Sequence, residues 1–265
     1  MIIELSSFFN NPSLISWGPL NIQYYAVTWI LSTYFMYLFL KTHAIPKELG
    51  LSTDQINDLV FLYGLIFGAM IGGRVGYMFL YGTDQLLNDP LSLFYIWQGG
   101  LSFHGGLAGV AISVFIFSKK FNISFFRLTD AVTLATPISL GLVRIGNFLN
   151  GELYGNPTSG NWGFIFPTDA FGLPRHPSQL YESFFEGIVL FMILFFINKN
   201  TKITGVVSAA FLIFYGTIRF FIEFYRQPDA HIGYVALEWL SMGQLLCLPM
   251  ILAGLLLLTY FLRKA

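Results

Sequence analysis

The densest run of polar side chains in this sequence spans residues 144–155 and reads RIGNFLNGELYG. Arg144, Asn147, Asn150 and Glu152 all fall within nine residues of it. An arginine fork and asparagine amides suit a phosphate with neighbouring hydroxyl or ester groups. An ordinary helix C-cap also uses Gly and Asn, but it does not need four polar groups. The segment therefore predicts a site that binds a phosphate ester.

A second segment, residues 99–106, reads GGLSFHGG and places a histidine between glycines at the start of an apolar run. A neutral imidazole can accept a proton near pH 7. A lone histidine is more often structural, but the flanking glycines are expected to leave room for a ligand. His104 is therefore interpreted as a candidate proton acceptor.

A third segment, residues 175–182, reads RHPSQLYE and opens another apolar run. Pro177 and Ser178 are expected to cap the start of a helix. A cap does not explain Gln179, Tyr181 and Glu182 in a turn that enters a membrane.

The composition decides which elements must position these residues. Of the 265 residues, 55% are hydrophobic and 11% are charged, whereas soluble domains carry about 25% charged residues. So few charged residues cannot cover a surface that faces water, so the composition predicts a membrane protein. The formal net charge is zero, so a nucleic-acid partner is not expected.

Cysteine and histidine usage narrows the chemistry further. Cys247 is the single cysteine, so an intramolecular disulfide cannot form. The four histidines are scattered along the chain, and neither a metal site nor a cofactor is expected. Residues 1–21 lack a basic stretch and are interpreted as a short exposed tail rather than a signal peptide.

Apolar stretches of about 20 residues predict an all-α, polytopic membrane protein with seven transmembrane helices in one membrane domain, residues 1–265. The predicted spans lie near 22–40, 58–82, 99–118, 128–150, 178–198, 203–224 and 240–262.

Lysine and arginine in the loops predict the orientation of these spans. The loops on one side carry only Arg175 and Arg226, whereas those on the other side carry Lys41, Lys47, Lys119, Lys120, Arg127, Lys199, Lys202, Arg263 and Lys264. The N-terminus is therefore predicted outside, in the periplasm, and the C-terminus in the cytoplasm.

Three arginines, Arg74, Arg144 and Arg219, remain inside the predicted spans. In the predicted topology all three lie within roughly 15 Å of the outer boundary. A charge in the hydrocarbon costs about 2.5–3.5 kcal/mol on insertion scales, so the set predicts a functional polar cavity near the outer face.

Arg74 is the arginine of this set that is assigned to the structural framework. It points away from a stripe of glycines in the same span, which is expected to allow close helix contact. The stripe consists of Gly64, Gly68, Gly72 and Gly76. In the sixth span, Tyr215, Arg219, Glu223 and Arg226 form a polar stripe that should face the protein interior.

Together these segments resemble the prolipoprotein diacylglyceryl transferases of bacteria. The resemblance rests on RxGNFxNGExxG at 144–155, GGxSFHGG at 99–106, RHPSQLYE at 175–182 and YGTIRFFIEFYRQPD at 215–229. Gly18-Pro19 and the pair Tyr24-Tyr25 also fit.

The resemblance implies a seven-span enzyme of the bacterial inner membrane with its active site facing the periplasm. Such enzymes transfer the diacylglyceryl group of phosphatidylglycerol to the lipobox cysteine thiol of a preprolipoprotein. A thioether forms and glycerol 1-phosphate leaves. The expected partners are therefore phosphatidylglycerol and preprolipoprotein signal peptides, with no cofactor, metal or nucleic acid.

The resemblance also implies roles for individual residues. Arg144 and Arg219 would stabilise the charge on the leaving phosphate, and His104 would accept the thiol proton unless an arginine stabilises the thiolate instead. Cys247 should be dispensable, because the nucleophile is the cysteine of the substrate. Positions implicated in substrate binding or in holding the site together are Tyr25, Asn147, Asn150, Glu152, Gly155, Glu182, Tyr215, Glu223 and Arg226.

Three other function classes compete with the transferase. A lipid transporter or flippase would also enclose charges, but it should carry polar groups toward both faces or show repeats. An intramembrane protease could use Ser178 with His176 or His104, although no matching nucleophile motif appears. A purely structural assembly protein would leave the outer polar cluster unexplained.

Overall fold

The computed structural model describes residues 2–5, 13–17, 20–95, 99–160, 162–228 and 233–265. It is predominantly helical, and its chain forms two compact units. One unit combines Met1–Phe35 with Val132–Ala265, and the other is Met36–Ala131. The single membrane domain remains a prediction. Of the residues in the family resemblance, Gly18, Pro19 and Asp229 lie outside the described residues.

Helices occupy all seven stretches in which the sequence predicts a span. Five of the stretches hold one helix each: α1 (Tyr24–Thr42), α6 (Phe103–Lys120), α7 (Phe125–Leu149), α10 (Val206–Ile222) and α11 (Met242–Lys264). The second stretch is a continuous run of α3 (Thr53–Asn57), a π-helix (Asp58–Gly72) and α4 (Gly73–Leu80). The fifth is a continuous run of α8 (Ser178–Glu182), a π-helix (Ser183–Val189) and α9 (Leu190–Asn200). Shorter helices lie between them: α2 (Ala44–Glu48), α5 (Thr83–Asn88) and a 3₁₀ turn at Pro90–Phe94.

Within the described part of the chain, four helices are long and apolar enough to cross a membrane. They are Thr53–Phe79, Phe125–Leu149, Ser178–Asn200 and Met242–Lys264, and Val206–Ile222 is a shorter apolar helix. This supports a membrane-embedded protein. Seven crossings and their sidedness remain predictions.

Short strands in the connecting segments correct the expectation of a purely helical chain. The strands are β1 (Ile2–Glu4), β2 (Ser13–Trp17), β3 (Leu20–Gln23), β4 (Gly163–Ile165), β5 (Pro174–Arg175), β6 (Tyr234–Ala236) and β7 (Leu240–Ser241). β1 runs parallel to β4, which pairs antiparallel with β5, while β2–β3 and β6–β7 are antiparallel pairs. Because backbone groups outside helices need partners, these segments pair with one another.

Residues 2–4 are largely exposed, as the sequence predicted for this stretch, but they form a strand rather than a free tail. Ile2 is paired with Gly163 and Glu4 with Ile165, so the first strand is part of a three-stranded sheet. The lack of a basic stretch carried no information about this pairing, because the partner strand lies far away in sequence.

The predicted glycine stripe is confirmed as a helix-packing surface. A Cβ on Gly72 would lie 2.7 Å from the carbonyl oxygen of Gly105, and one on Gly76 would lie 2.5 Å from the Gly105 Cα. Gly68 approaches Val110 in the same way. Gly64 is the exception, since an added Cβ there would meet only a carbonyl of its own helix.

The other unit packs α7 against α1 with a similarly close approach. A Cβ on Gly146 would lie 2.1 Å from the Thr28 hydroxyl oxygen, so only glycine fits there. The hydroxyls of Ser32 and Ser139 each donate to the backbone carbonyl of the other residue. These contacts hold the start of α1 beside the polar segment that ends α7.

Candidate active site

Glu182 lies at the centre of a buried charge cluster. Its Oε2 is 2.8 Å from Arg144 Nε, and its Oε1 is 2.5 Å from Arg219 Nη1. The three residues come from α8, α7 and α10, respectively. One carboxylate therefore joins two of the arginines that the sequence predicted as a functional set.

The polar stripe predicted for the sixth span supplies most of the remaining charges, but the helix α10 ends at Ile222, so Glu223 is its C-cap and Arg226 lies in the segment after it. Arg219 Nη1 is also 3.4 Å from Glu186 Oε1, and its Nη2 is 2.8 Å from Glu223 Oε2. Arg226 Nη1 lies 3.8 Å from Glu223 Oε1. Arginines and glutamates thus alternate through the cluster, which offsets the cost of burying each charge.

Tyr215 lies one turn before Arg219 on the same helix. Its ring stacks on Phe211, with 5.4 Å between the ring centroids. The structure thus brings it to the α10 face that carries the arginine.

A second chain of contacts leads from Arg144 along its own segment. Arg144 Nη1 donates to Asn147 Oδ1 at 3.3 Å, and Asn147 Nδ2 donates to Glu152 Oε1 at 2.8 Å. Asn147 therefore fixes the arginine on one side and the carboxylate on the other. The predicted segment is a connected network and not a simple helix cap.

Arg144 differs from Arg219 in how much of its side chain is exposed and in how many of its nitrogens are paired. Its side chain is 17% exposed, against 10% for Arg219. Glu182 and Asn147 occupy Nε and Nη1, while Nη2 makes no hydrogen bond or ion pair with any described residue. An anion could therefore bind this edge without displacing Glu182.

The start of α8 secures the end of this segment, and one sequence interpretation was wrong there. Ser178 does not cap the helix; its hydroxyl donates to the Leu153 carbonyl at 3.1 Å. The buried Gln179 amide donates to the Glu152 carbonyl at 2.7 Å. Ser178 and Gln179 therefore hold the backbone of the 144–155 segment, while Glu182 binds the two arginines.

Asn150 and Gly155 also lie in the framework around the charges. Asn150 Oδ1 accepts from the Tyr25 backbone amide, and its Nδ2 donates to Gln23 Oε1, both at 3.2 Å. A Cβ on Gly155 would lie 2.4 Å from the Tyr225 carbonyl oxygen, so glycine allows the backbones to meet. The Tyr25 ring packs edge-on against Trp29.

His104 occupies the second position of α6, in the unit Met36–Ala131. Its side chain lies outside what the structure describes. The reason given for its role needs correction, because Gly105 does not leave room for a ligand. Gly105 packs backbone to backbone against Gly72 and Gly76.

Arg74, in the same unit, belongs to the framework as predicted. It is buried and donates to the backbone carbonyls of Leu93, Ser92, Gly99 and Gly100. Gly99 and Gly100 have φ of 81° and 76°, a conformation that glycine adopts at little steric cost. The two glycines thereby direct their carbonyls at the arginine.

A further arginine organises the loop before α8. Arg175 Nε and Nη2 bind the two oxygens of Asp169 at 2.7 and 2.9 Å, and Nη1 donates to Gln227 at 2.6 Å. The guanidinium also lies 4.8 Å from the centre of the Tyr154 ring. Hydrogen bonding to Arg175 lowers the pKa of Asp169 below its ordinary value. The pair links the 151–175 loop to the segment after α10.

Sequence reasoning missed the start of α11, where Ser241 Oγ donates to Glu223 Oε1 at 3.0 Å. A signal was present, since Ser241-Met-Gly-Gln244 before an apolar run has the Ser-x-x-Gln pattern of a capping box. The pattern predicts a helix start, but it cannot reveal a contact with a distant glutamate.

No group of three His, Cys, Asp or Glu side chains in the described ranges forms a metal-ligand cluster. Ser178 and His176 do not form a nucleophile pair either. The Ser178 hydroxyl is directed at a carbonyl, and His176 Nδ1 lies 3.3 Å from the Tyr181 hydroxyl.

The polar network on apolar helices defines a membrane protein with a buried ion cluster, and comparison with known proteins gives its family. The model of the prolipoprotein diacylglyceryl transferase family matches residues 12–260. The chain belongs to this family.

Curated relatives match over nearly the whole chain, and each is named phosphatidylglycerol–prolipoprotein diacylglyceryl transferase. The Oleidesulfovibrio alaskensis protein is 45% identical over 254 residues, covering 96% of this chain and 94% of its own. A Pseudomonas putida protein is 44% identical over 247 residues, covering 92% and 91%. The Aliivibrio fischeri protein is 43% identical over 254 residues, covering 96% and 90%.

Proposed function

We propose that this protein transfers the diacylglyceryl group of phosphatidylglycerol to the lipobox cysteine thiol of preprolipoproteins. The sulfur forms a bond to the glycerol carbon that carries the phosphate, and the carbon–oxygen bond breaks. Glycerol 1-phosphate leaves with the electron pair, the thiol proton passes to a base, and a thioether remains. Family membership and the names of the relatives support this reaction.

The observation that carries the site assignment is the pairing of one buried carboxylate, Glu182, with both Arg144 and Arg219. Negative charge grows on the phosphate oxygen as the carbon–oxygen bond breaks. A cation held in place before the reaction stabilises that charge without reorganising. Glu182 fixes the direction of Arg144 while leaving its Nη2 edge open for a phosphate oxygen.

The residues around this edge have complementary proposed roles. Arg144 contacts the leaving phosphate, Arg219 supports it through Glu182, and Asn147 with Glu152 orients the arginine and the glycerol hydroxyls. Residues that shape the lipid-headgroup pocket or hold it together are Tyr25, Asn150, Gly155, Glu182, Tyr215, Glu223 and Arg226.

His104 is the proposed acceptor of the thiol proton, because a thiolate attacks far better than a thiol. The alternative is that an arginine stabilises the thiolate directly. We expect His104→Ala to reduce turnover markedly, and to do so less at alkaline pH, where the thiol ionises unaided. Turnover near that of wild type at neutral pH would assign His104 to packing.

Seven transmembrane helices in a single membrane domain of the bacterial inner membrane are proposed to carry the site. The N-terminus and active site face the periplasm, and the C-terminus faces the cytoplasm. The distribution of lysine and arginine in the loops supports this orientation. Single cysteines introduced at Lys119 and Thr158 in a Cys247→Ser background test it. A membrane-impermeant thiol reagent added to intact cells should label only the cysteine at position 158.

The reaction is tested with purified protein, phosphatidylglycerol and a synthetic lipobox peptide. The peptide should gain the mass of the diacylglyceryl group while glycerol phosphate appears in equal amount. A peptide with serine in place of the lipobox cysteine is the control and should stay unmodified. Full transfer by purified Arg144→Ala protein would contradict the role given to that arginine.

The flippase alternative is not favoured, because the chain belongs to a transferase family. The same assay distinguishes the two, since a flippase would move labelled phosphatidylglycerol between leaflets without modifying the peptide.

A further inference from the structure

The start of α11 holds the far side of the ion cluster. Glu223 Oε2 lies 2.8 Å from Arg219 Nη2, and its other oxygen accepts a hydrogen bond from the Ser241 hydroxyl at 3.0 Å. Both Glu223 and Ser241 are buried. The carboxylate is therefore bound by Arg219 on one side and by Ser241, the N-cap residue of α11, on the other, with Arg226 Nη1 farther away at 3.8 Å.

The Ser241 hydroxyl has a fixed direction because it both donates a hydrogen bond and accepts one. Its oxygen accepts the backbone amide of Gln244 at 3.2 Å, while the Gln244 side chain accepts the Ser241 amide at 3.0 Å. A hydroxyl carries one proton to donate, and the geometry gives that proton to Glu223. Unpaired amides at a helix N-terminus also favour a nearby negative charge.

Gly243 provides the space in which the carboxylate lies. A Cβ at this position would be 2.7 Å from Glu223 Oε1 and 2.8 Å from its Cδ. The atoms that it would meet belong to the end of a flexible side chain and not to backbone. A larger residue at 243 would therefore move the carboxylate while leaving the helices in place.

We propose that Ser241 and Gly243 are positioning residues that hold the Glu223 carboxylate against Arg219. This inference rests on the proposed function, in which Arg219 supports the phosphate-binding arginine. Ser241 acts by donating to the carboxylate, and Gly243 acts by lacking a side chain. Neither residue needs to touch the lipid or the peptide.

Two substitutions test the proposal through turnover. Ser241→Ala removes a hydrogen bond to a charged group and should lower kcat about tenfold. Gly243→Ala should lower kcat by a similar factor while the melting temperature stays close to that of wild type. Ser241→Thr keeps the hydroxyl and should restore most of the turnover lost in Ser241→Ala.

The chain offers a matched control for each substitution. Ser52 also caps a helix through a capping box, with Gln55, so Ser52→Ala should lower stability but leave kcat unchanged. On α11 itself, a Cβ at Gly254 would meet Ile213 Cγ1 at 2.8 Å and also two backbone atoms, the Ala209 oxygen at 2.9 Å and the Ile213 nitrogen at 3.0 Å. Gly254→Ala should therefore lower the melting temperature, with kcat per folded molecule retained.

A double-mutant cycle separates this inference from the proposed function. Glu223→Gln alone should lower single-turnover transfer, and adding Ser241→Ala should cause little further loss because both act through the same carboxylate. Full kcat in Ser241→Ala and Gly243→Ala, beside an impaired Glu223→Gln, would overturn the positioning role only. The positioning role would also be overturned if the loss in the double variant equalled the product of the losses in Glu223→Gln and Ser241→Ala. Wild-type turnover in Glu223→Gln would overturn the role proposed for the glutamate, and the positioning inference with it.

Discussion

Arg74 and Arg219 are both buried arginines in apolar helices, yet different groups compensate their charges. Arg74 donates to the backbone carbonyls of the 92–100 region, whereas Arg219 binds three carboxylates. Carbonyl dipoles belong to the backbone and fix the fold locally. The carboxylates that bind Arg219 lie on separate elements. Glu182 and Glu186 belong to the run that begins with α8, whereas Glu223 follows α10, so the ion pairs join these elements into one charged network. Between these two helix arginines, the type of partner, and not the burial, separates the framework residue Arg74 from the proposed site residue Arg219.

Both kinds of partner, carbonyls for Arg74 and carboxylates for Arg219, compensate the cost of burying the charge. Removing one partner from a buried pair costs about 3–5 kcal/mol, because an uncompensated charge remains. Arg74 is satisfied by groups that cannot ionise, so its surroundings have one charge state. The Arg219 cluster instead pairs the guanidinium with carboxylate side chains that hold it in place before an anion enters. Such a network suits a reaction in which negative charge develops.

The largest expected effect comes from substituting the two arginines in parallel. Arg219→Ala should lower transfer by about 10²-fold or more, the usual effect of losing a preorganised charge contact. Arg74→Ala should lower the melting temperature by roughly 10 °C, because several buried carbonyls lose their donor. Its folded fraction should keep most of its specific activity. Peptide modification per mole of monodisperse protein, with melting curves, measures both.

Equal losses of specific activity in Arg219→Ala and Arg74→Ala would contradict the separation of a site arginine from a framework arginine. Arg74→Lys sharpens it, because lysine keeps the charge but lacks the planar fork that reaches several carbonyls. This variant should remain nearly as destabilised as Arg74→Ala if carbonyl geometry matters more than charge.

A smaller effect is expected at Asn147, which links Arg144 to Glu152. Asn147→Ala leaves Arg144 paired with Glu182 but free to turn, and we expect kcat/KM to fall about tenfold through lost orientation. Asn200→Ala is the control, because among the described residues the Asn200 side-chain amide bonds only the Phe196 carbonyl of its own helix. Unchanged kcat/KM in Asn147→Ala would show that Asn147 does not orient Arg144 for the reaction.

The Asp169–Arg175 pair extends the comparison to a loop arginine and gives a pH dependence. The pKa of Asp169 is lowered in the folded protein, so its stabilising contribution is present above the unfolded pKa of about 4. That contribution is lost as the pH falls through the folded pKa. Proteolysis of the 156–174 loop should therefore accelerate below about pH 4 in wild type.

Asp169→Asn is the matched variant for that measurement. It should be cleaved faster than wild type at pH 7, and it should lack the component of acid sensitivity that belongs to Asp169. Equal cleavage of the two proteins at pH 7 would show that the carboxylate does not hold the loop.

The smallest effect is expected at Cys247, which is buried in α11. Cys247→Ser should retain transfer activity, since the proposed nucleophile is the cysteine of the substrate. An inactive but folded Cys247→Ser protein would require an enzyme nucleophile and would contradict the mechanism. The measurement is the same peptide mass shift.

The sequence by itself determined the helical membrane class, the position of the long helices and the residues of the polar cluster. Hydrophobic runs and rare intramembrane charges are local signals, and their cost in lipid makes them informative. The glycine stripe and the framework role of Arg74 were predictable for the same reason, since both follow from residue type and helical spacing.

Only the tertiary structure decided which groups pair. Ser178 could be assigned to a cap from its neighbours, but its bond to Leu153 depends on how a distant segment folds back. The pairing of β1 with β4 and the contact of Ser241 with Glu223 likewise join residues far apart in sequence. Hydrogen bonds and ion pairs act over a few ångströms, so their partners are fixed by packing. The residue pattern supplies the charges, and the fold determines which of them meet.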